Sequence, residues 1–131
     1  MFTFANFYSF LLAALLVLVP VIMSEDLDGT LHWGHIPVPD ADMAFEYFFR
    51  YGSYGVPEGV EVLGVTFDDG HLILDVCEKI LSYGGGSAFE LALVAQLEKI
   101  AVEVFGAERF NLLIDGEGQS LIYGTIPCVA S

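Results

Sequence analysis

Apolar and polar side chains alternate most clearly in the middle of the chain. Val62 to Phe67 and His71 to Cys77 are two β-rich runs joined by Asp69-Gly70, a pair favoured in the tight type I′ hairpin turn. A two-residue loop there sets Asp68 opposite His71, Phe67 opposite Leu72, Val65 opposite Leu74 and Leu63 opposite Val76. The large apolar residues then share one face, as the two-residue side-chain period requires. Thr66, Gly64, Asp75 and His71 fall on the other, together with Ile73 and Val62.

Two stretches carry a helical period instead. Asp40 is placed to cap the first, in which Met43, Tyr47 and Tyr51 fall on one line beside Ala44, Phe45, Phe48 and Phe49. Glu46 and Arg50 sit at i, i+4 on its wet side, and Gly52 is placed to close it in the left-handed conformation. The second follows Tyr83-Gly84-Gly85-Gly86. Ser87 and Glu90 have the spacing of a capping box, and Phe89, Leu93, Leu97 and Ile100 form a stripe reaching towards Phe105. So apolar a helix belongs largely inside.

Gly106 ends that helix. Phe110 to Ile114 predicts a third strand, Asp115-Gly116-Glu117-Gly118 a turn, and Ser120 to Ile126 a fourth strand that stops at Pro127. The expected fold is α+β: two helices on one face of a small sheet of about four strands, in the order α-β-β-α-β-β.

The N-terminal part is different in kind. Residues 1–23 carry no charge, and Phe10 to Met23 is an almost unbroken apolar run. This predicts an apolar helix over residues 1–23, either a cleaved signal or an uncleaved membrane anchor, with a buried core helix as the remaining alternative. Ser24-Glu25-Asp26-Leu27-Asp28 marks the exit into water. Residues 24–39 read as a linker with a short edge strand near Leu31 to Val38, where Pro37 and Pro39 argue against a central position. The domain itself spans residues 40–127.

Composition narrows the function. With 55% hydrophobic residues, intrinsic disorder is a poor reading, and the length suits one compact domain. The 18 acidic residues against 4 Lys and Arg, a net charge of −14, repel phosphate backbones and exclude nucleic acid as a partner. Such a surface suits an ion-rich exterior or a basic partner. Cys77 and Cys128 are too few for a disulfide framework or a metal site, and a single bridge and two free thiols both stay open.

Candidate chemistry is sparse. The glycine run before the second helix suggests anion binding, but no Lys or Arg follows to hold a phosphate. His32 and His35, near Asp26 and Asp28, would ligate a metal only if folding drew them together. Asp68 and Asp69 belong to a turn in water, and no histidine is placed to activate Ser53, Ser82 or Ser120. No catalytic residue, cofactor site or metal site is therefore assigned. Gln96, polar in the middle of the apolar helix, needs partners. A neighbouring loop backbone is the first reading; a small-ligand-binding or hydrolytic domain centred on Gln96, Asp75 and the glycine loop is the alternative.

Taken in order, several segments resemble the GerMN domain of bacterial sporulation and germination proteins. They are Val56-Pro57-Glu58-Gly59-Val60, Leu74-Asp75-Val76, Tyr83-Gly84-Gly85-Gly86-Ser87 with Glu90, Ala95-Gln96-Leu97, Phe105-Gly106 and Ile114-Asp115-Gly116. The resemblance covers roughly Asp40 to Tyr123. It implies an extracytoplasmic α/β domain similar to ring-building motifs, with no known catalytic residues and a role in cell-envelope or spore processes. The lipoprotein cysteine that often follows the apolar segment in that family does not occur here. The expected partners are an envelope protein or a second copy, and the membrane if the N-terminal segment stays uncleaved. The expected location is extracytoplasmic, membrane-anchored or secreted.

Overall fold

The structure is a computed structural model that describes residues 16–82 and 86–118, and the backbone of 128–129. The first finding overturns an expectation. The second half of the apolar run is a strand, β1 (Val17–Glu25), paired antiparallel with β2 (Leu31–Val38). Val19, Val21 and Ile22 are buried, so these residues belong to the core and not to an anchor or leader ending at Met23. Residues 1–15, the rest of the expected helix, lie outside the described residues. The composition changes where the strand begins: Leu and Ala give way to Val17, Val19, Val21 and Ile22, whose branched side chains suit a pleated surface. No helix among the described residues is long and apolar enough to cross a membrane.

A 3₁₀ turn (Ala41–Met43) follows, with the Asp40 carboxylate accepting from the Asp42 N–H at 3.0 Å. It leads into α1 (Ala44–Tyr51), which buries Ala44, Phe45, Phe48 and Phe49. The line through Met43 and Tyr51 sits at the exposed rim, one step round from the buried face. Gly52 is extended (φ −68°, ψ 147°) and not left-handed; a Cβ there would stand 2.6 Å from the Phe48 carbonyl oxygen. Closeness of approach, not handedness, is why glycine fits.

The hairpin forms as expected. β3 (Val62–Asp68) and β4 (His71–Val76) pair Asp68 with His71, Phe67 with Leu72 and Val65 with Leu74. Asp69 and Gly70 both have positive φ, 51° and 75°, as a type I′ turn requires. One detail differs. A bulge between Val62 and Gly64 sets Val62, not Leu63, opposite Val76, and Leu63 is left exposed.

A second 3₁₀ segment (Glu78–Ser82), anchored by buried Ile80, carries the chain towards α2 (Ser87–Phe105). Gly106 closes α2 in the left-handed conformation, its N–H reaching the Val102 carbonyl while the Ala107 N–H reaches that of Ala101, both at 3.0 Å. β5 (Arg109–Ile114) then runs parallel to β4, so β4, α2 and β5 form a crossover unit. β6 (Cys128–Val129) adds antiparallel to β5. The expected strand over Ser120 to Ile126 lies outside the described residues.

Two sheets therefore replace the single one expected, β1-β2 and β3-β4-β5-β6. The larger buries Leu72, Leu74, Val76, Phe110, Leu112 and Ile114 on one face. Phe45 of α1 stacks on Phe110 with ring centroids 6.3 Å apart, and Phe105 of α2 meets Phe67 at 6.0 Å, so both helices cover that face. Val19, Val21 and Val38 complete the same core.

Fully burying a Val or Ile contributes about 1.5–3 kcal/mol. The three buried residues of β1 thus supply roughly 5–9 kcal/mol, comparable with the whole stability of a typical small domain. A chain beginning at Ser24 should fail to unfold cooperatively, whereas one beginning at Leu16 should give a sharp transition in thermal denaturation followed by circular dichroism.

Candidate functional site

Gln96 is fully buried, and its amide is completely engaged. Oε1 accepts from the Ile22 N–H at 2.8 Å, while Nε2 donates to the carbonyls of Tyr54 at 2.8 Å and Ala92 at 3.1 Å. Ile22 lies in β1, whose outer edge runs beside α2. An edge N–H pressed against an apolar helix would lose water without gaining a partner, at a cost of about 1–3 kcal/mol. Gln96 supplies that partner. Two residues earlier on the same edge stands Pro20, which has no N–H to satisfy. The side chain that stood out in the sequence is therefore joined to backbone, as its first reading held.

Tyr54, whose carbonyl Gln96 holds, also donates its phenol O–H to Glu25 at the end of β1, and its ring lies 5.2 Å from that of Phe89. The hydrogen bond to the Glu25 carboxylate, aided by partial desolvation and its negative charge, raises the phenol pKa above the ordinary value. Sequence reasoning missed this cluster because it treated Glu25 as the start of a linker.

The other residues singled out in the sequence lie in separate places. Asp75 Oδ1 accepts from the Gly116 N–H at 2.9 Å, and the Asp115 N–H donates to Val76 at 2.8 Å. Asp115 and Gly116 have φ of 50° and 80°, so Asp75 fixes a left-handed turn at the end of β5. Gly59 has φ 76° in the loop before β3, where its carbonyl and the Glu61 N–H wrap the free thiol of Cys77. Gly86 is the residue before α2 (φ 77°), and Ser87 is the first residue inside it. This replaces the expected capping box, which required Ser87 to stand outside the helix. Glu90 is buried in the first turn, and its N–H reaches the Gly86 carbonyl at 3.3 Å. Tyr83, Gly84 and Gly85 lie outside the described residues.

The histidines do not converge. His32 bonds Asp26 at 2.8 Å in solvent, His35 is three residues further along β2 and so projects from the opposite face, and His71 meets Asn111 at 2.6 Å on the open side of the larger sheet. Among the described residues no three His, Cys, Asp or Glu side chains group closely enough to hold a metal ion.

Two neighbouring features among the described residues remain available to another molecule. The first is the outer edge of β3, which pairs with no strand among the described residues. The second is an open cleft of about 670 Å³ where α1 approaches the chain entering β3, lined by Glu46, Phe49, Arg50, Glu58, Glu61 and Val62. They adjoin at Val62.

The sequence matches no protein-family model and no curated protein. Solved structures do match. The tandem GerMN domains of the sporulation protein GerM from Bacillus subtilis superpose with a TM-score of 0.63 at 20% identity, over 86% of this chain and 44% of that one. The first GerMN domain of the same protein gives 0.62 at 20% identity over 85% of this chain and 92% of that domain. A candidate lipoprotein from Clostridium perfringens gives 0.51 at 13% identity, over 82% and 78% of the two chains. This chain thus spans less than half of the tandem structure and nearly all of one domain. At these identities the likeness is one of fold.

Two outcomes follow from the geometry. Gln96→Leu leaves the buried Ile22 N–H without a partner and strips the partly buried Tyr54 carbonyl of its donor, and should lower stability by about 1–3 kcal/mol in urea titration. Because the folded-state pKa of Tyr54 is raised, its contribution is complete below the unfolded value and fades as pH rises through the folded one. Ultraviolet absorbance titration should therefore show a phenol ionisation above the ordinary tyrosine range that is absent in Tyr54→Phe.

Proposed function

Because the chain has the fold of a GerMN domain, we propose that it is a non-catalytic interaction or assembly domain of the cell envelope, of the kind found in sporulation and germination proteins. The single observation that carries this reading is the engagement of its distinctive polar side chains within the chain itself. Gln96 binds strand, loop and helix backbone, and Asp75 binds the turn at Gly116. These residues lie in different parts of the fold, one in the core beside β1 and one on the sheet side near the β5 turn. A hydrolytic or small-ligand site built on both would need them to face one cavity, and that geometry counts against it.

The extracytoplasmic placement is part of the same proposal. Its support is the apolar N-terminal run, the strongly acidic surface, and the fold shared with a sporulation protein and a candidate lipoprotein. Since Val17–Glu25 is a core strand, any cleavage or membrane insertion must leave that segment to the domain.

After cell fractionation the full chain should appear with the envelope, and in-cell crosslinking should recover a defined envelope protein or a dimer. Purely cytosolic recovery with no crosslinked species would refute the proposal. A thermal shift on screening small metabolites, abolished by Asp75→Ala, would favour the ligand-binding alternative instead.

A further inference from the structure

We propose that the outer edge of β3 takes up an extended, lysine- or arginine-bearing segment of a partner protein as an added strand. This rests on the reading of the chain as an interaction domain and names the surface and the chemistry of the partner.

Among the described residues the edge is open in a specific way. In a type I′ turn the first residue's carbonyl accepts from the fourth residue's N–H, which makes Asp68 and His71 a hydrogen-bonded pair. Strand alternation then turns Thr66 inward to β4 and leaves Val65 and Phe67 with their N–H and C=O groups facing outward. An arriving strand finds two donors and two acceptors in register. Natural edges are usually guarded by proline, lysine or a bulge. Val62–Asp68 contains neither proline nor lysine, and its bulge lies at the far end, between Val62 and Gly64.

The apolar surface continues to this edge and stops there. Phe45 stacks on Phe105 at 5.7 Å, and Phe105 meets Phe67 at 6.0 Å. Phe67 is the outermost member, 46% exposed, and Leu63 at the bulge is 51% exposed. A side chain of the incoming strand beside Phe67 would extend that row by one residue.

Charge selects the occupant. At the bulged end Glu46, Glu58 and Glu61 share the 670 Å³ cleft with Arg50, and Lys79 lies beside Gly59. At the turn end stand Asp68 and Asp69, with the Glu108 carboxylate near Gly70 and Arg109 next to it in sequence. Six carboxylates thus flank the edge against three cations. A second copy would bring a chain of net charge −14 to the same surface and be repelled. A cationic strand is attracted, with its apolar residues towards Phe67 and a basic side chain in the cleft.

The test uses the full chain and a labelled peptide, acetyl-Lys-Val-Lys-Val-Lys-Val-Lys-amide, with the Glu-Val counterpart as control. Anisotropy should show saturable binding of the basic peptide only, weakening with salt, and hydrogen exchange should slow at the Val65 and Phe67 amides. Val65→Pro removes an outward donor without touching the β4 ladder and should lower affinity at least about tenfold. Glu58→Lys with Glu61→Lys, both on the surface, should do the same with the fold unchanged. No binding, or equal binding by Val65→Pro without amide protection, overturns the proposal. A dimer in sedimentation that Val65→Pro abolishes would make a second copy the occupant and also overturn it. If Val65→Pro still crosslinks to its envelope partner in cells, the interaction reading stands while this edge assignment falls.

Discussion

A strand laid beside a helix must find partners for the backbone groups buried on its outer edge, and here one side chain provides the acceptor for the Ile22 N–H. Gln96 joins three backbone segments that no secondary-structure ladder connects: β1 at Ile22, the loop at Tyr54, and its own helix at Ala92. With that amide in place, β1 can lie against α2 and place Val19 and Val21 in the core. The loop after α1 is fixed by the same group. Tyr54 then reaches Glu25, tying the far end of β1 to the chain that leads into the hairpin.

The larger sheet is organised around a different constraint. β4 and β5 are parallel, so the chain must cross between them, and α2 is the crossover. That helix is buried by the face it covers as well as by β1, which explains its apolar residues on several sides, Ala92, Leu93 and Val94 among them. The face of the sheet away from the helices keeps His71, Asp75 and Asn111, residues that bond locally to one another or to turns. One side of the sheet builds the domain, and the rim, where Leu63 and Phe67 emerge, is left to face others.

Local signals carried well from sequence to structure. Asp69-Gly70 specified its turn and most of the register, because a two-residue loop leaves little freedom. Gly106 specified the end of α2 through its left-handed geometry. The α+β class, both helices and their common sheet face followed from period alone. What failed was a matter of environment. Val17 to Met23 is apolar enough for a bilayer or a core, and hydropathy cannot separate the two; only the shift from Leu and Ala to Val and Ile pointed to a strand. The parallel pairing of β4 with β5 was likewise invisible, since the hairpin motif says nothing about the neighbour on its far side. The candidate surface was legible only as an excess of acid, because the edge that it flanks exists only once the strand order is known.

The order in which this chain leaves the ribosome gives β1 an awkward early life. It emerges just ahead of β2 and can pair with it at once, yet the glutamine that closes its edge follows 74 residues later. At a synthesis rate of about 5–20 residues per second, that gap lasts roughly 4–15 seconds. Throughout it the α2-facing edge of a valine-rich hairpin stays uncovered and is prone to sticking to other nascent chains. A holdase that shields this segment until α2 arrives would raise the yield of folded protein, and synonymous codons that slow translation between β2 and α2 would lower it.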